Sequence, residues 1–353
     1  MGDEQSGKIT GKMKKRLAVT LIAGAIGLVL MVIASMALGT TNYGLSEVIG
    51  SIRHAINNDP FDGVDRTLIN LRLPRVLAVF AVGAGLSMAG VVFQAIIRNP
   101  LVDPYMTGVS SGAGFGATMY IAFFTGSSIL FISDFIMPIF AFIFAIIAFS
   151  LTFVISKVSG NNNVSFVLAG VIVAMGFSAV TTIMMMSNDR LTHGVLGFLY
   201  GSFSSISWRT SMIMVVAVMI LSAIFIVRSR TFNVVLLGRE QAMELGVNYD
   251  SFRLIMMILA SFLTAICVAF VGIISFIGLI VPHIARMALG GDHRMVMPTS
   301  MIIGALLLAA ADLLVKEAMG LWSLAIPIGA LTTLVGIPFF VYILKMRGKG
   351  YGR

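Results

Sequence analysis

Charge is scarce in this sequence. Only 11% of its 353 residues are Asp, Glu, Lys or Arg, whereas 58% are hydrophobic, and the mean hydropathy is +1.00. A soluble domain of this size exposes too much surface to water to be covered by so few polar side chains. The composition therefore excludes a soluble domain and indicates a chain whose exterior faces lipid.

Cysteine and histidine are scarce as well. The one cysteine, Cys267, lies in an apolar run, so no disulfide can form within the chain, and the four histidines are too far apart in sequence for a Cys/His metal motif. Carboxylates deep in the membrane are the mark of proton- or ion-coupled pumps. Here Asp103, Asp134 and Asp312 fall near expected span ends, which argues against a proton relay, and we expect no metal site.

Motifs for catalysis and nucleotide binding are also missing. The stretch Gly2–Lys8 resembles the start of a phosphate-binding loop, but Ile9 follows where a Ser or Thr would bind magnesium. No carboxylate pair, zinc-protease motif or nucleophile elbow is present. Asp292 and His293 are expected to form a turn or a helix cap. We therefore expect no enzyme and no cofactor, with the energy for any transport supplied by another protein.

Long charge-free stretches are what the chain does have. There are nine: 17–46, 76–97, 104–133, 135–156, 158–188, 210–227, 254–285, 295–311 and 318–344. A span needs about 20 apolar residues, so 254–285, interrupted by Gly272, Gly278 and Pro282, predicts one full and one short helix. The sequence thus predicts an all-α integral membrane protein of ten spans, with 191–207 as a short surface or re-entrant helix.

The charged residues predict the orientation. With ten spans both termini share one side, and most of the 24 Lys and Arg residues fall there, so that side is predicted to be cytoplasmic. The first apolar run is too long for a cleaved signal and is interpreted as a retained helix. The predicted parts are a basic tail at 1–16, a membrane domain at 17–345 with a cytoplasmic insert at 228–253, and a cytoplasmic tail at 346–353.

Two further patterns concern loops and packing. The outer segment 47–75 is predicted to be a long polar loop with a turn at 57–60, and 228–253 is the only long charged insert on the inner side. Glycines recur every fourth residue at 108, 112 and 116, and again at 197 and 201. This spacing favours close helix packing within one bundle, with contact to a second copy as the alternative.

Three segments carry a family resemblance. They are Leu71–Arg75 with Gly90–Gln94 and Asn99–Leu101, then Leu237–Gly246, and then Ser275–Arg286 with Asp292–Arg294. In this order and spacing they resemble the permease family of iron-siderophore, haem and vitamin B12 ABC importers, over about residues 17–345. The resemblance implies a homodimer in the cytoplasmic (inner) membrane, with ten helices per subunit and a central translocation path. It also implies two ATPase subunits that use ATP and Mg inside, and a substrate-binding protein outside.

The resemblance also implies roles for individual residues. The positions that match ATPase-coupling helices are Leu237, Gly238, Arg239, Glu240, Ala242, Leu245 and Gly246. The positions that match docking sites for the binding protein are Arg72, Arg75 and Lys316. The cytoplasmic gate and path match Asn161, Asn162, Asn163 and Ser165, and the structural motif residues are Gln94, Asn99, Pro100, Pro282 and His283. The alternatives are a solvated loop for the insert, interfacial snorkelling for the cations and a simple inner turn for the asparagines.

The cargo is not determined by these motifs. An iron chelate, that is a siderophore or haem, is the expected cargo because it is the commoner case in the family, and vitamin B12 is the alternative. A secondary transporter that works without ATP is a rival interpretation, as is a membrane-embedded enzyme. The first rival requires buried charge and the second a catalytic cluster, and the sequence favours neither.

Overall fold

The computed structural model describes residues 2–124, 133–160, 162–187, 189–322 and 326–348, and within these ranges the chain forms helices and no β-strand. A π-helical turn covers Arg66–Arg72 and a 3-10 turn covers Pro104–Thr107. The α-helices are α1 Gly2–Ala37, α2 Leu45–Asn57, α3 Gly63–Asp65, α4 Leu73–Ile97, α5 Val109–Phe124, α6 Ser133–Val158, α7 Asn163–Met186, α8 Asp189–Leu199, α9 Trp208–Val227, α10 Ser229–Val235, α11 Arg239–Glu244, α12 Tyr249–Val271, α13 Ile277–Leu289, α14 His293–Trp322 and α15 Ile328–Gly348.

Seven helical segments in the described ranges are long and apolar enough to cross a membrane. They are Lys15–Ala37, Gly63–Ile97, Phe135–Val158, Asn163–Met186, Trp208–Val227, Tyr249–Val271 and His293–Leu321. Three shorter apolar helices are Val109–Phe124, Ile277–Leu289 and Ile328–Val341. The predicted all-α membrane fold is confirmed. The count of ten spans stays a prediction, because the three short helices do not reach spanning length by themselves.

Helix α4 is the centre of the fold, with α9, α12, α13 and α14 packed around it. Small residues on α4 make this possible. Gly83 faces the backbone of Gly304 in α14, and Gly90 faces the backbone of Gly278 in α13, so that any side chain at either position would collide with main-chain atoms. Such contacts replace the hydrophobic effect as the source of helix association in lipid.

The first glycine pattern packs helices of one bundle, as predicted. Gly112 and Gly116 face backbone carbonyls of α6, at Phe144 and Phe140. In the second pattern Gly201 packs closely, with the carbonyl oxygen of Ile273 2.8 Å from the position of a Cβ, whereas nothing lies within 4 Å of that position at Gly197, where contact with a second copy stays a prediction.

The stretch 254–285 forms two helices, as predicted, and the break between them begins at Gly272. Gly272 has φ +77°, which a glycine adopts without strain, and residues 273–276 lie outside any helix before α13 begins. Gly278 and Pro282 were expected in the break and lie inside α13 instead. Because proline has no N–H, the carbonyl four residues earlier, that of Gly278, lacks its α-helical donor.

Two other expectations need correction. The outer segment 47–75 is mostly helical and not a loop. One face of α2 packs Val48 against Met36 and Leu68. The predicted turn at 57–60 is present, with Asn58 in a left-handed conformation. Helix α14 continues past residue 311 to Trp322. Its charges remain within the helix because Asp312 and Lys316 form an i,i+4 ion pair at 3.0 Å. The predicted short helix near 191–207 is present as α8.

Candidate functional site

The predicted cytoplasmic insert folds as two short helices, α10 and α11, joined at Gly238. Gly238 has φ +122°, a conformation that L side chains rarely adopt, which explains a glycine at this turn. On α11, Ala242 is fully buried and packs in a small cluster with Val235 and Tyr249. Gly246, with φ +80°, follows the helix. These contacts fix α11 against the start of α12.

The opposite side of the insert is exposed and partly apolar. Leu237, Met243 and Leu245 have 59%, 56% and 62% of their surface exposed, and Glu240 is exposed beside them. We call these four residues the α11 surface. Lipid does not account for exposed leucines here, because the insert lies outside the apolar spans and is charged. Arg239 forms an ion pair with Asp250, with Nη2 and Oδ2 2.6 Å apart. Apolar patches with a polar edge are typical of protein–protein contacts.

A second cluster lies at the other end of the bundle, where Asp312 holds two cations. Its carboxylate accepts hydrogen bonds from Arg75 Nη2 at 2.7 Å and Nε at 3.2 Å, and lies 3.0 Å from Lys316 Nζ. The side chains of Asp312 and Lys316 are only 2% and 9% exposed. One carboxylate thus serves two cations, which leaves a net positive charge.

Arg72 stands beside this cluster but has its own partners. Its guanidinium donates to the backbone carbonyls of Met36, Leu38 and Thr41, and lies 4.8 Å from the ring centre of Tyr43. Arg72 therefore anchors the end of α1 and the loop after it. A cavity of about 260 Å³ is lined by Arg72, Arg75 and Lys316, and Thr40, Thr41, Thr67 and Ser204 are among its other lining residues. The three predicted docking cations are thus brought together around one cavity.

Gln94, a predicted structural residue, joins three segments of the fold. Its Nε2 lies 3.2 Å from the carbonyl of Gly278 and 3.3 Å from those of Leu279 and Val102. Its Oε1 accepts a hydrogen bond from Arg286. Pro282 leaves the Gly278 carbonyl without a helical donor. The side-chain amide of Gln94 supplies the hydrogen bond that is missing there.

The other structural motif residues have simpler surroundings. Asn99 Oδ1 accepts from the backbone N–H of Leu101 at 3.0 Å, which forms the turn that contains Pro100. His283 is half-buried on α13.

The predicted gate residues lie at the start of α7. Asn162 caps the helix, because its side chain accepts from Ser165 N at 2.7 Å. Asn163 donates to the carbonyl of Ile97 at 2.8 Å, and Ser165 Oγ donates to that of Ser159 at 2.6 Å. Asn161 lies outside the described residues. These contacts are those of a turn and a cap, the alternative interpretation, and the gate stays a prediction.

Other residues were not predicted as part of any site. Asp312 was interpreted only as a charge near a span end, although its i,i+4 spacing to Lys316 is a signal of pairing. Asp292 and His293 form the expected cap of α14, but their hydrogen bonds to Asn233 on α10 had no signal in the sequence. Hydrogen bonds from Arg294 and Asn233 lower the pKa of Asp292 to about 2.

Helix α2 carries a further ion pair, between His54 Nδ1 and Asp65 Oδ2 at 2.9 Å. This hydrogen bond, followed by the charges of Asp65, Asp59 and Asp62, raises the pKa of His54 above 6.5. A raised pKa in the folded state means that the contact stabilises α2 fully below pH 6.5 and loses its effect as the pH rises through the raised value.

We therefore expect α2 to become less protected from hydrogen exchange, after correction for the intrinsic rate, as the pH rises through this range. Exchange of residues 45–57 measured by mass spectrometry tests this expectation. His54→Gln should remove the pH dependence, and an unchanged dependence in that variant would show that another group is responsible.

Comparison with known proteins identifies the family. The FecCD transport family matches residues 27–346. The chain belongs to this family. Within it, the chain is 36% identical over 278 residues to the cobalamin import system permease protein BtuC of Halobacterium salinarum, covering 78% of this chain and 73% of that protein. It is 33% identical over 332 residues to the molybdate import system permease protein MolB of Haemophilus influenzae, covering 91% and 95%.

A solved structure agrees with this assignment. A metal-chelate type ABC transporter in an inward-facing conformation matches this FecCD chain with a TM-score of 0.79 at 30% identity, covering 92% of this chain and 98% of that one. The resemblance seen in the sequence is thereby confirmed, and the protein is a multi-pass permease of the ABC importer class. The relatives carry different cargoes, so membership of the family does not determine the cargo.

Proposed function

We propose that this FecCD chain is the permease subunit of an importer that moves an iron chelate, a siderophore or haem, into the cytoplasm, with vitamin B12 as the alternative cargo. Two copies form the path in the cytoplasmic membrane, with both termini inside, and separate ATPase subunits supply the energy. The observation that carries this proposal is the α11 surface, whose exposed leucines are typical of a surface that binds a protein partner.

The energetics of the α11 surface support docking. Exposed apolar surface is unfavourable in water by about 25 cal/mol per Å², and Leu237 and Leu245 are both more than half exposed. The helix itself is fixed by Ala242, so docking would not require it to fold. Glu240 at the edge would select for a basic rim on the partner.

Leu237→Asp and Leu245→Asp are each expected to abolish co-purification of the ATPase subunit, since each places a charge in the centre of the contact. Leu45→Asp on α2 is the matched control, because Leu45 is 58% exposed but lies at the other end of the bundle. Pull-down from membranes that contain both proteins measures the effect. Full association of the Leu237 and Leu245 variants would contradict the proposed contact.

At the outer face, we propose that the cavity of Arg72, Arg75 and Lys316 attracts an acidic group of the substrate-binding protein. The net positive charge of the Asp312 cluster favours encounter with acidic partners. Arg75 is the most accessible of the cluster, with 23% of its side chain exposed. Arg72 contributes to this docking site by holding the loop after α1 in place.

The inner end of the path is proposed to lie at the start of α7. Asn162 is exposed there and Ser165 is half-buried, and Ser178 and Thr182 are exposed further along the helix. Short polar side chains at a dimer axis could form a gate and still separate when the ATPases move.

Two measurements test the cargo, one on the substrate-binding protein and one on transport by the complete importer. The ligand that raises the melting temperature of the partner binding protein identifies the cargo class, and ATP-dependent uptake of that ligand by proteoliposomes tests the transport step. Uptake that proceeds equally without ATP would instead support a secondary transporter.

A further inference from the structure

Asn233, on α10, connects the cytoplasmic insert to the start of a membrane helix. Its Nδ2 donates to Asp292 Oδ1 at 2.8 Å. Its Oδ1 accepts from the backbone N–H of His293 at 3.0 Å and lies 2.8 Å from His293 Nδ1. Asp292 and His293 begin α14, 59 and 60 residues further along the chain. One short side chain thus makes three hydrogen bonds to a distant helix end.

The chemistry of the partners determines how this amide is oriented. Asp292 is a carboxylate, which only accepts hydrogen bonds, so the NH2 group of Asn233 must face it. The amide oxygen then faces His293, and the ring must carry its proton on Nδ1 to donate to that oxygen. The three side chains therefore fit together in one arrangement, which is the property required of a rigid connection.

Apolar packing strengthens the same contact. The rings of Phe232 and His293 stack with centres 5.9 Å apart, and Phe232 also meets Phe252 of α12 edge-on at 5.0 Å. Phe232 is fully buried, and His293 is nearly so. A displacement of α10 would therefore have to move the start of α14 with it or break buried contacts.

The start of α14 is well placed to affect the membrane region. Asp292 caps α14 through its main-chain carbonyl, which accepts from the N–H groups of Met295 and Val296 at 2.9 Å. Helix α14 packs along α4 at the centre of the fold and against α13, which precedes it. Movement of this end would thus reach the two helices whose backbones meet at Gly90 and Gly278.

We propose that Asn233 is a positioning residue that transmits movement of the insert to α14, through Asp292 and His293. This inference rests on the proposed function, in which α11 docks on an ATPase subunit. Docking itself involves the exposed α11 surface, whereas the side chain of Asn233 contacts Asp292 and His293. Loss of Asn233 should therefore separate ATP hydrolysis from transport.

The test uses the complete importer, with its ATPase and binding protein, in proteoliposomes. Asn233→Ala is expected to leave ATPase association and basal ATP hydrolysis unchanged and to lower ATP-driven import by about tenfold, within the range of typical coupling between sites. Import is normalised to assembled complex, so that reduced folding does not imitate uncoupling. Import at the normal rate per complex would overturn the proposal.

A rescue experiment distinguishes transmission from simple stability. The double substitution N233D/D292N exchanges the donor and acceptor, because the new carboxylate accepts from His293 and from the new amide. Asn233→Asp alone is expected to abolish import, because it places two carboxylates side by side. The double variant is expected to restore import. Because Asp292 Oδ1 also accepts from the backbone N–H of Arg294, Asp292→Asn alone is measured as the reference, and a double variant that imports no better than either single variant would overturn the proposal. Arg294→Gln is the control, since it removes another partner of Asp292 without touching Asn233, and it should import normally.

The same measurements distinguish a failure of the proposed function from a failure of the inference about Asn233. If the ATPase does not associate with the unsubstituted chain, the proposed function is wrong. If it associates and supports import, and Asn233→Ala imports normally, only the inference about Asn233 is wrong.

Discussion

Asp312→Ala is expected to lower the stability of the folded permease by about 3–5 kcal/mol, the usual cost of removing one partner from a buried ion pair. The substitution leaves Lys316, whose side chain is 9% exposed, and Arg75 without the carboxylate that they share. Lys316 is too buried for water to take the place of the carboxylate, so its charge remains uncompensated. The loss should appear as a lower melting temperature in detergent and as a smaller monodisperse fraction.

A control pair is available in the same chain. Arg239 and Asp250 form an ion pair at 2.6 Å whose side chains are 62% and 56% exposed. Exposed pairs contribute about 0.2–1 kcal/mol, so Asp250→Ala should have little effect on the melting temperature. Equal losses for the two variants would show that burial of the Asp312 cluster does not determine its importance.

The Asp312 cluster also shows a contact that could not be predicted from the sequence. Lys316 and Arg75 were assigned to the outer face through the family resemblance, but their shared partner was not recognised. Arg75 and Asp312 are 237 residues apart in the chain, and no periodicity reports such a contact. The charges were therefore interpreted as the end of a span, whereas pairing allows α14 to continue through them.

The membrane class and the division of 254–285 could be predicted, because they depend on local properties. A lipid exterior requires apolar stretches of sufficient length, and a glycine with positive φ breaks a helix at its own position. The orientation of α11 could not be predicted in this way. That Ala242 faces inward while Leu237 and Leu245 face outward depends on how the insert packs on α12, which a six-residue helix does not encode in its periodicity.

Gln94→Leu is expected to destabilise the fold by about 1–3 kcal/mol, the cost of a buried polar group left without a partner. The leucine keeps the volume of the side chain but cannot donate to the carbonyl of Gly278. That carbonyl has no α-helical donor because of Pro282, and hydrocarbon offers no water in its place. A lower melting temperature of the purified protein measures the effect.

A second substitution tests this cause. Pro282→Ala restores an N–H four residues after Gly278, so the double variant Q94L/P282A should lose less stability than the sum of the two single variants. Coupling of about 0.5–3 kcal/mol is typical of residues that share one partner. Pro298, inside α14, supplies the control, because Pro298→Ala restores no donor to Gly278 and should combine additively with Gln94→Leu. Additive behaviour of Pro282→Ala as well would mean that Gln94 acts through Arg286 or Val102 instead, and that the proline and the glutamine are independent parts of the motif.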